Sequence, residues 1–194
     1  MNKAFSYDNN SDIISNKAVV YAIGALFFVL ATALGAYVRV PVQGSPVPIT
    51  LQTFFVMLSG AVLGRRLGVF SQSCYLALGA AGLPIFQGYS LGASYLLGPT
   101  GGYIIGFIFA AYAIGRMIRT RDQGMASLIA SFALGSLVIY AFGISWLIFL
   151  YRISVQKAFY MGVLPFIPGD ILKVLFAAFV YSRISRRIKT VFPE

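Results

Sequence analysis

The chain has 194 residues, 59% of them hydrophobic and only 10% charged, with a formal net charge of +10, a single cysteine and no histidine. Its mean hydropathy of +0.83 and its low charge lie far from a soluble domain, where about 25% of residues are charged. This composition describes an integral membrane protein, and it excludes a disulfide framework, a histidine-bearing metal site and a hydrolytic triad.

Six spans are predicted, at 18–38, 48–64, 67–82, 100–118, 125–150 and 169–185, forming one all-α bundle over residues 18–188 with short tails at 1–17 and 189–194. About 20 apolar residues per span use nearly the whole chain, so no second domain fits. In the first span Ala31-Thr32-Ala33 resembles a signal-peptide cleavage site. The apolar run around it is longer than the roughly 7–15 residues of a signal peptide, so the span is read as retained. The second and third spans are short, rich in Gly and Ala, and joined only by Arg65-Arg66, which predicts a tight hairpin. Cys74 lies among small and apolar residues, as a packed thiol does, rather than in the electropositive, accessible setting of a nucleophile. Small residues four apart at Gly60/Gly64, Ala77/Ala81 and Gly102/Gly106 would let backbones approach closely in a bilayer. Before the fourth span, Gly98-Pro-Thr-Gly-Gly102 lacks the Lys-Ser/Thr ending of a phosphate-binding loop and reads as a helix start.

Basic residues set the expected orientation. Lys3, Lys17, Arg65, Arg66, Arg116, Arg119, Arg121, Arg183, Arg186, Arg187 and Lys189 fall on one side, and only Arg39, Arg152 and Lys157 on the other. Their position at span ends is a topology signal rather than a nucleic-acid footprint, and it predicts cytoplasmic termini in the cell membrane. The outer connections, 39–48, 83–99 and 151–168, all carry proline, which shapes the backbone. The middle one combines Gln87, Tyr89, Ser90, Ser94 and Tyr95 with glycines, giving stacking faces and neutral hydrogen-bonding groups suited to a small ligand. Its Phe86 reads equally well as part of an interfacial aromatic belt.

The last span opens on Pro168-Gly-Asp-Ile-Leu-Lys173, which puts Asp170 and Lys173 on one face of a helix, inside the membrane. An ionisable group in hydrocarbon costs at least about 2.5–3.5 kcal/mol on insertion scales, so it faces a bundle interior or a wet cavity. Two readings remain: a mutually satisfied structural ion pair, or a ligand site. Carboxylate and ammonium side by side supply an acceptor and a donor, which a cyclic urea would complement. Catalysis would need a further acid or base, and the spans contain no other carboxylate and no histidine, so binding without chemistry is expected. The chain also has no nucleotide-binding motif, so energy for transport must come from elsewhere.

Five stretches resemble the BioY family, the biotin-binding S components of energy-coupling factor (ECF) transporters. They are Pro46-Val-Pro-Ile-Thr-Leu-Gln52, Gly82-Leu-Pro-Ile-Phe86, Leu97-Gly-Pro-Thr-Gly-Gly-Tyr103, Phe142-Gly-Ile-Ser-Trp146 and Leu164-Pro-Phe-Ile-Pro-Gly-Asp-Ile-Leu-Lys173, in the family's order. The resemblance implies a six-helix S-component fold that captures biotin from outside, without cofactor or metal. It implies a ligand site around Asp170 and Lys173, to which Ser90, Tyr89, Ser94, Tyr95, Gln52 and Tyr103 are assigned. It also implies a transmembrane T component and two cytoplasmic ATPases as partners, docked through a small-residue face for which Ala18/Ala22 and Ala31/Gly35 have the spacing. The chain departs from some relatives in having Ser90 for asparagine and Ile104 for arginine. The second change leaves the partner of the biotin carboxylate open among Arg39, Arg152 and water, with the carboxylate staying near solvent as the other possibility. The alternatives are a subunit or solitary carrier for another small vitamin, an intramembrane enzyme, and a structural membrane protein.

Overall fold

The computed structural model describes residues 17–120 and 124–192. Seven α-helices follow in the order α1 (Lys17–Tyr37), α2 (Gln52–Ala80), α3 (Ala93–Leu96), α4 (Gly101–Thr120), α5 (Met125–Tyr151), α6 (Val155–Gly162) and α7 (Ile167–Val191). Two-residue strands β1 (Arg39–Val40) and β2 (Ile49–Thr50) lie between α1 and α2. Among the described residues, five helical stretches are long and apolar enough to cross a membrane. One of them, α2, is two legs, because its backbone leaves the helical region at Gly64 (φ 77°, ψ −179°).

The chain reverses at that glycine. Gln72 donates to Ser59 over 3.1 Å although 13 residues separate them, a stretch that would rise about 20 Å in a straight helix. The predicted hairpin is therefore present, with Arg65 and Arg66 just past its tip, and the molecule is a six-legged membrane bundle.

Close approach at glycines holds the legs together. A Cβ on Gly60 would lie 2.6 Å from the Ala111 carbonyl oxygen of α4, and one on Gly102 would lie 2.2 Å from the Trp146 Cβ of α5. Ala77 and Ala81, by contrast, are exposed, and their four-residue spacing marks no contact. Two apolar clusters fill the interior, one around Met57, Ile114, Phe132 and Tyr181, the other around Val56, Tyr75, Phe86, Tyr103 and Phe166. Outward faces carry large apolar side chains such as Ile23, Leu34, Leu172 and Phe176, which suits a lipid-facing surface.

The outer connections, expected to be shaped by proline, also carry short regular elements. Residues 39–48 open into an antiparallel ribbon that pairs Arg39 with Thr50 and Val40 with Ile49. The stretch 151–168 contains α6, whose start is capped by the Ser154 side chain accepting from the Lys157 N–H at 3.3 Å. Helix α7 continues to Val191, so residues 189–191 extend a helix where a tail is expected. At one end of the bundle the hairpin tip meets α4, with Arg65 against Gly115, and the start of α1 meets the end of α7, with Tyr21 stacked on Phe192. The ribbon, the 83–99 connection and α6 lie at the opposite end. Lys3 and Arg121, and with them most of the expected N-terminal tail, fall outside the described residues.

Candidate ligand-binding site

At that second end the bundle opens into a cavity lined by residues of α2, α4, α5 and α7 and of the connections between them. Asp170 reaches it from the first turn of α7. A short 3-10 turn, Leu164–Phe166, leads into that helix, and Pro168 sits where its missing N–H leaves no hydrogen bond unmade. Asp170 is only 7% exposed, and its carboxylate lies near the positive end of the helix dipole.

Three helices converge on the carboxylate. Lys173 Nζ donates to Asp170 Oδ1 at 2.7 Å and to Thr53 Oγ1, at the start of α2, at 3.1 Å. The Tyr140 hydroxyl of α5 donates to Asp170 Oδ2. An ionised carboxylate offers about four acceptor positions and an ammonium three donors. Both groups thus keep capacity for a ligand while remaining oriented by neighbours.

Of the residues expected at the site, Gln52, Tyr95 and Tyr103 line this cavity together with Asp170 and Lys173. Gln52 is fixed at both ends of its amide, accepting from Thr50 at 3.1 Å and donating to the Tyr75 hydroxyl at 2.6 Å, which itself donates to the Ile85 carbonyl. Tyr103 spends its hydroxyl on the Gly162 carbonyl at 2.8 Å and so presents its ring to the cavity. Tyr95 stacks on Phe86 with ring centroids 5.0 Å apart. Burial pushes its phenol above the ordinary tyrosine value, so it stays neutral. Phe86 itself is completely buried against Gly79, which makes it core rather than interfacial belt.

Tyr89, Ser90 and Ser94 do not line the cavity. Tyr89 is 72% exposed and stacks outward on Tyr37, because Gly88 and Tyr89 both adopt positive φ (69° and 61°) and turn the chain away. Ser94 is exposed and Ser90 half-buried. Arg39 packs over Gly88 and Arg152 over the Phe149 ring, and neither is part of the cavity wall. Tyr140, Thr53 and Thr100 line the wall without having been singled out in the sequence. Thr53 directly follows one of the matched stretches, and that adjacency is the one signal available for it. No group of three metal-ligating side chains occurs among the described residues.

Of the four small residues considered for docking, Ala18 and Ala22 are exposed on α1, whereas Ala31 and Gly35 are buried. Gly35 packs directly on the start of α2, where a Cβ would lie 3.0 Å from the Gln52 backbone nitrogen.

Comparison with known proteins bears on these features. A biotin transporter BioY of Thermotoga maritima is 40% identical over 164 residues, covering 84% of this chain and 95% of the relative. A probable biotin transporter BioY of Pyrococcus horikoshii is 44% identical over 168 residues, covering 87% and 97%. The solved structure of the S-component for biotin from an ECF-type ABC transporter superimposes with a TM-score of 0.80 at 30% identity, covering 88% of this chain and 93% of that one. With a family model matching residues 8–190 as well, the chain belongs to the BioY family.

Proposed function

We propose that this chain is the substrate-capturing membrane subunit of an ECF transporter and that it binds biotin in the cavity at the head of α7. The observation that carries this reading is the Asp170–Lys173 pair, nearly buried yet on a cavity wall. Asp170 accepts the ureido N–H groups and Lys173 donates to the ureido carbonyl. Hydrogen bonds to charged groups contribute about 1.5–3 kcal/mol each, enough to single out a urea from its solvated state. Phe107, Ile139, Phe166 and the Tyr103 ring supply an apolar wall for the thioether ring. The names of the relatives support biotin over another vitamin.

The reading makes the protein a binder rather than an enzyme. Asp170 is the single carboxylate among the described residues, and it is already engaged by Lys173 and Tyr140. The partners are a T component and two ATPases, with Ala18 and Ala22 offered for docking. The membrane is the cell membrane, with both termini cytoplasmic. What supports this sidedness is the gathering of Arg65, Arg66, Arg116 and the α7 arginines at the end away from the cavity.

Equilibrium binding of labelled biotin to the purified chain is the direct test. Saturable binding at about one ligand per chain is expected, with competition by desthiobiotin and none by thiamine or riboflavin. Absence of saturable biotin binding would overturn the assignment.

A further inference from the structure

Tyr75 stands in the second leg of α2 and is completely buried. It does not line the ligand cavity, yet its hydroxyl is the centre of a hydrogen-bond chain that reaches the cavity wall. Thr50 Oγ1 donates to Gln52 Oε1 at 3.1 Å, Gln52 Nε2 donates to the Tyr75 hydroxyl at 2.6 Å, and that hydroxyl donates to the Ile85 carbonyl at 3.1 Å. The direction of the chain is forced from its far end. A backbone carbonyl only accepts, so the single Tyr75 proton is spent on Ile85 and the phenol oxygen must accept from Gln52. The Gln52 amide therefore turns its nitrogen to Tyr75 and its oxygen to Thr50. The reverse orientation would set two acceptors against each other in a dry interior, which buried polar groups avoid.

An amide nitrogen carries two N–H donors. One is taken by Tyr75, and the other meets no acceptor among the described residues. Gln52 is only 5% exposed and lines the cavity, one residue before Thr53, which holds Lys173. The spare donor thus belongs to the same wall as the charged pair. The Tyr75 ring has a separate task. Phe86 packs on it edge to face with centroids 5.6 Å apart, and the cavity-lining Tyr95 stacks on Phe86 at 5.0 Å. Ring and hydroxyl both tie the cavity wall to the root of the 83–99 connection, and only the hydroxyl sets the direction of a hydrogen bond.

We infer that Tyr75 is a positioning residue for the ligand site: from outside the cavity, its hydroxyl fixes the Gln52 amide so that the spare N–H donates to an acceptor on the ligand. This rests on the biotin reading above and adds to it a residue that never touches the ligand.

The test is equilibrium binding of labelled biotin to wild type, Tyr75→Phe, Gln52→Met and the double variant. Tyr75→Phe keeps the ring against Phe86 and removes only the hydroxyl. It should weaken biotin binding about fivefold or more, the loss of one buried hydrogen bond. In the Gln52→Met background the same substitution should cost less than about twofold, because the residue it acts through is gone. A merely structural tyrosine would weaken binding by the same factor in both backgrounds. That result overturns the inference, as does wild-type affinity in Tyr75→Phe. Should Tyr75→Phe fail to fold, Gln52→Asn carries the test, since its amide is one methylene too short to meet the Tyr75 hydroxyl. Its affinity should fall to that of Gln52→Met, and wild-type affinity in it would overturn the inference while leaving biotin binding intact. Failure of the wild type to bind biotin overturns the biotin reading and this inference with it.

Discussion

Asp170 is held from two directions, by Lys173 one turn further along α7 and by Tyr140 from α5, and this decides how its neighbours should respond to substitution. In the proposed site Lys173→Ala and Asp170→Asn would each remove a charged contact to the ligand, and each should weaken biotin binding at least tenfold, about 1.4 kcal/mol. Tyr140→Phe removes one hydrogen bond to a carboxylate that keeps its lysine. Its effect on binding should be smaller, about a few-fold, because it removes an orienting bond and leaves both charged groups of the proposed site in place. Equilibrium dialysis against labelled biotin separates these cases, and wild-type affinity in both charge mutants would leave the pair a purely structural one. The pair was legible in the sequence because three-residue spacing fixes a shared helix face. Tyr140 and Thr53 were not, since they lie 30 and 120 residues from their partners and only the packing of α5 and α2 on α7 brings them close. The 83–99 connection shows the opposite limit. Its composition announced polar chemistry, but the positive φ of Gly88 and Tyr89 decides which side chains face out, and composition carries no such information.

Among the elements, the hairpin of α2 depends on a single backbone position. Gly64 combines φ 77° with ψ −179°, a region open essentially to glycine alone. Its carbonyl carbon also lies 2.7 Å from where a Cβ on Gly115 would stand, so α4 leaves the turn no room to relax. Gly64→Ala should therefore destabilise the protein by about 1–3 kcal/mol, read as a lower melting temperature in detergent. An unchanged melting temperature would mean that the hairpin tip tolerates rearrangement. The turn itself could be read from Arg65-Arg66, because two arginines between apolar runs belong at a membrane surface. The ribbon and α6 could not. Two-residue strands have no period to detect, and the eight residues of α6 are too few for a reliable apolar pattern, so their order comes from Ser154 capping and from Gly162 seating the Tyr103 hydroxyl.

Viewed whole, the cavity opens at one end of the bundle and Arg65, Arg66, Arg116 and the α7 arginines lie at the other, a division that suits capture at one end and coupling at the other. No Walker-type loop occurs in the sequence, and the single carboxylate among the described residues is committed to the ligand site, which leaves no proton or sodium relay there. In the proposed scheme any uphill movement is supplied through contacts with other subunits, for which Ala18 and Ala22 stand exposed on α1. Leucine at either position should abolish uptake in cells that contain the partners while leaving biotin binding unchanged. Leucine at Ala31 or Gly35 should instead disturb the packing of α1 on α2. Sealed vesicles containing this chain alone test the division directly. Right-side-out vesicles should capture biotin up to about one per chain and accumulate none beyond it, with or without an ion gradient, and inside-out vesicles should capture little from the medium because the cavity then faces the lumen. Strong accumulation without ATP would identify a secondary carrier and overturn the coupling scheme, whereas preferential capture by inside-out vesicles would reverse the orientation inferred from the arginines.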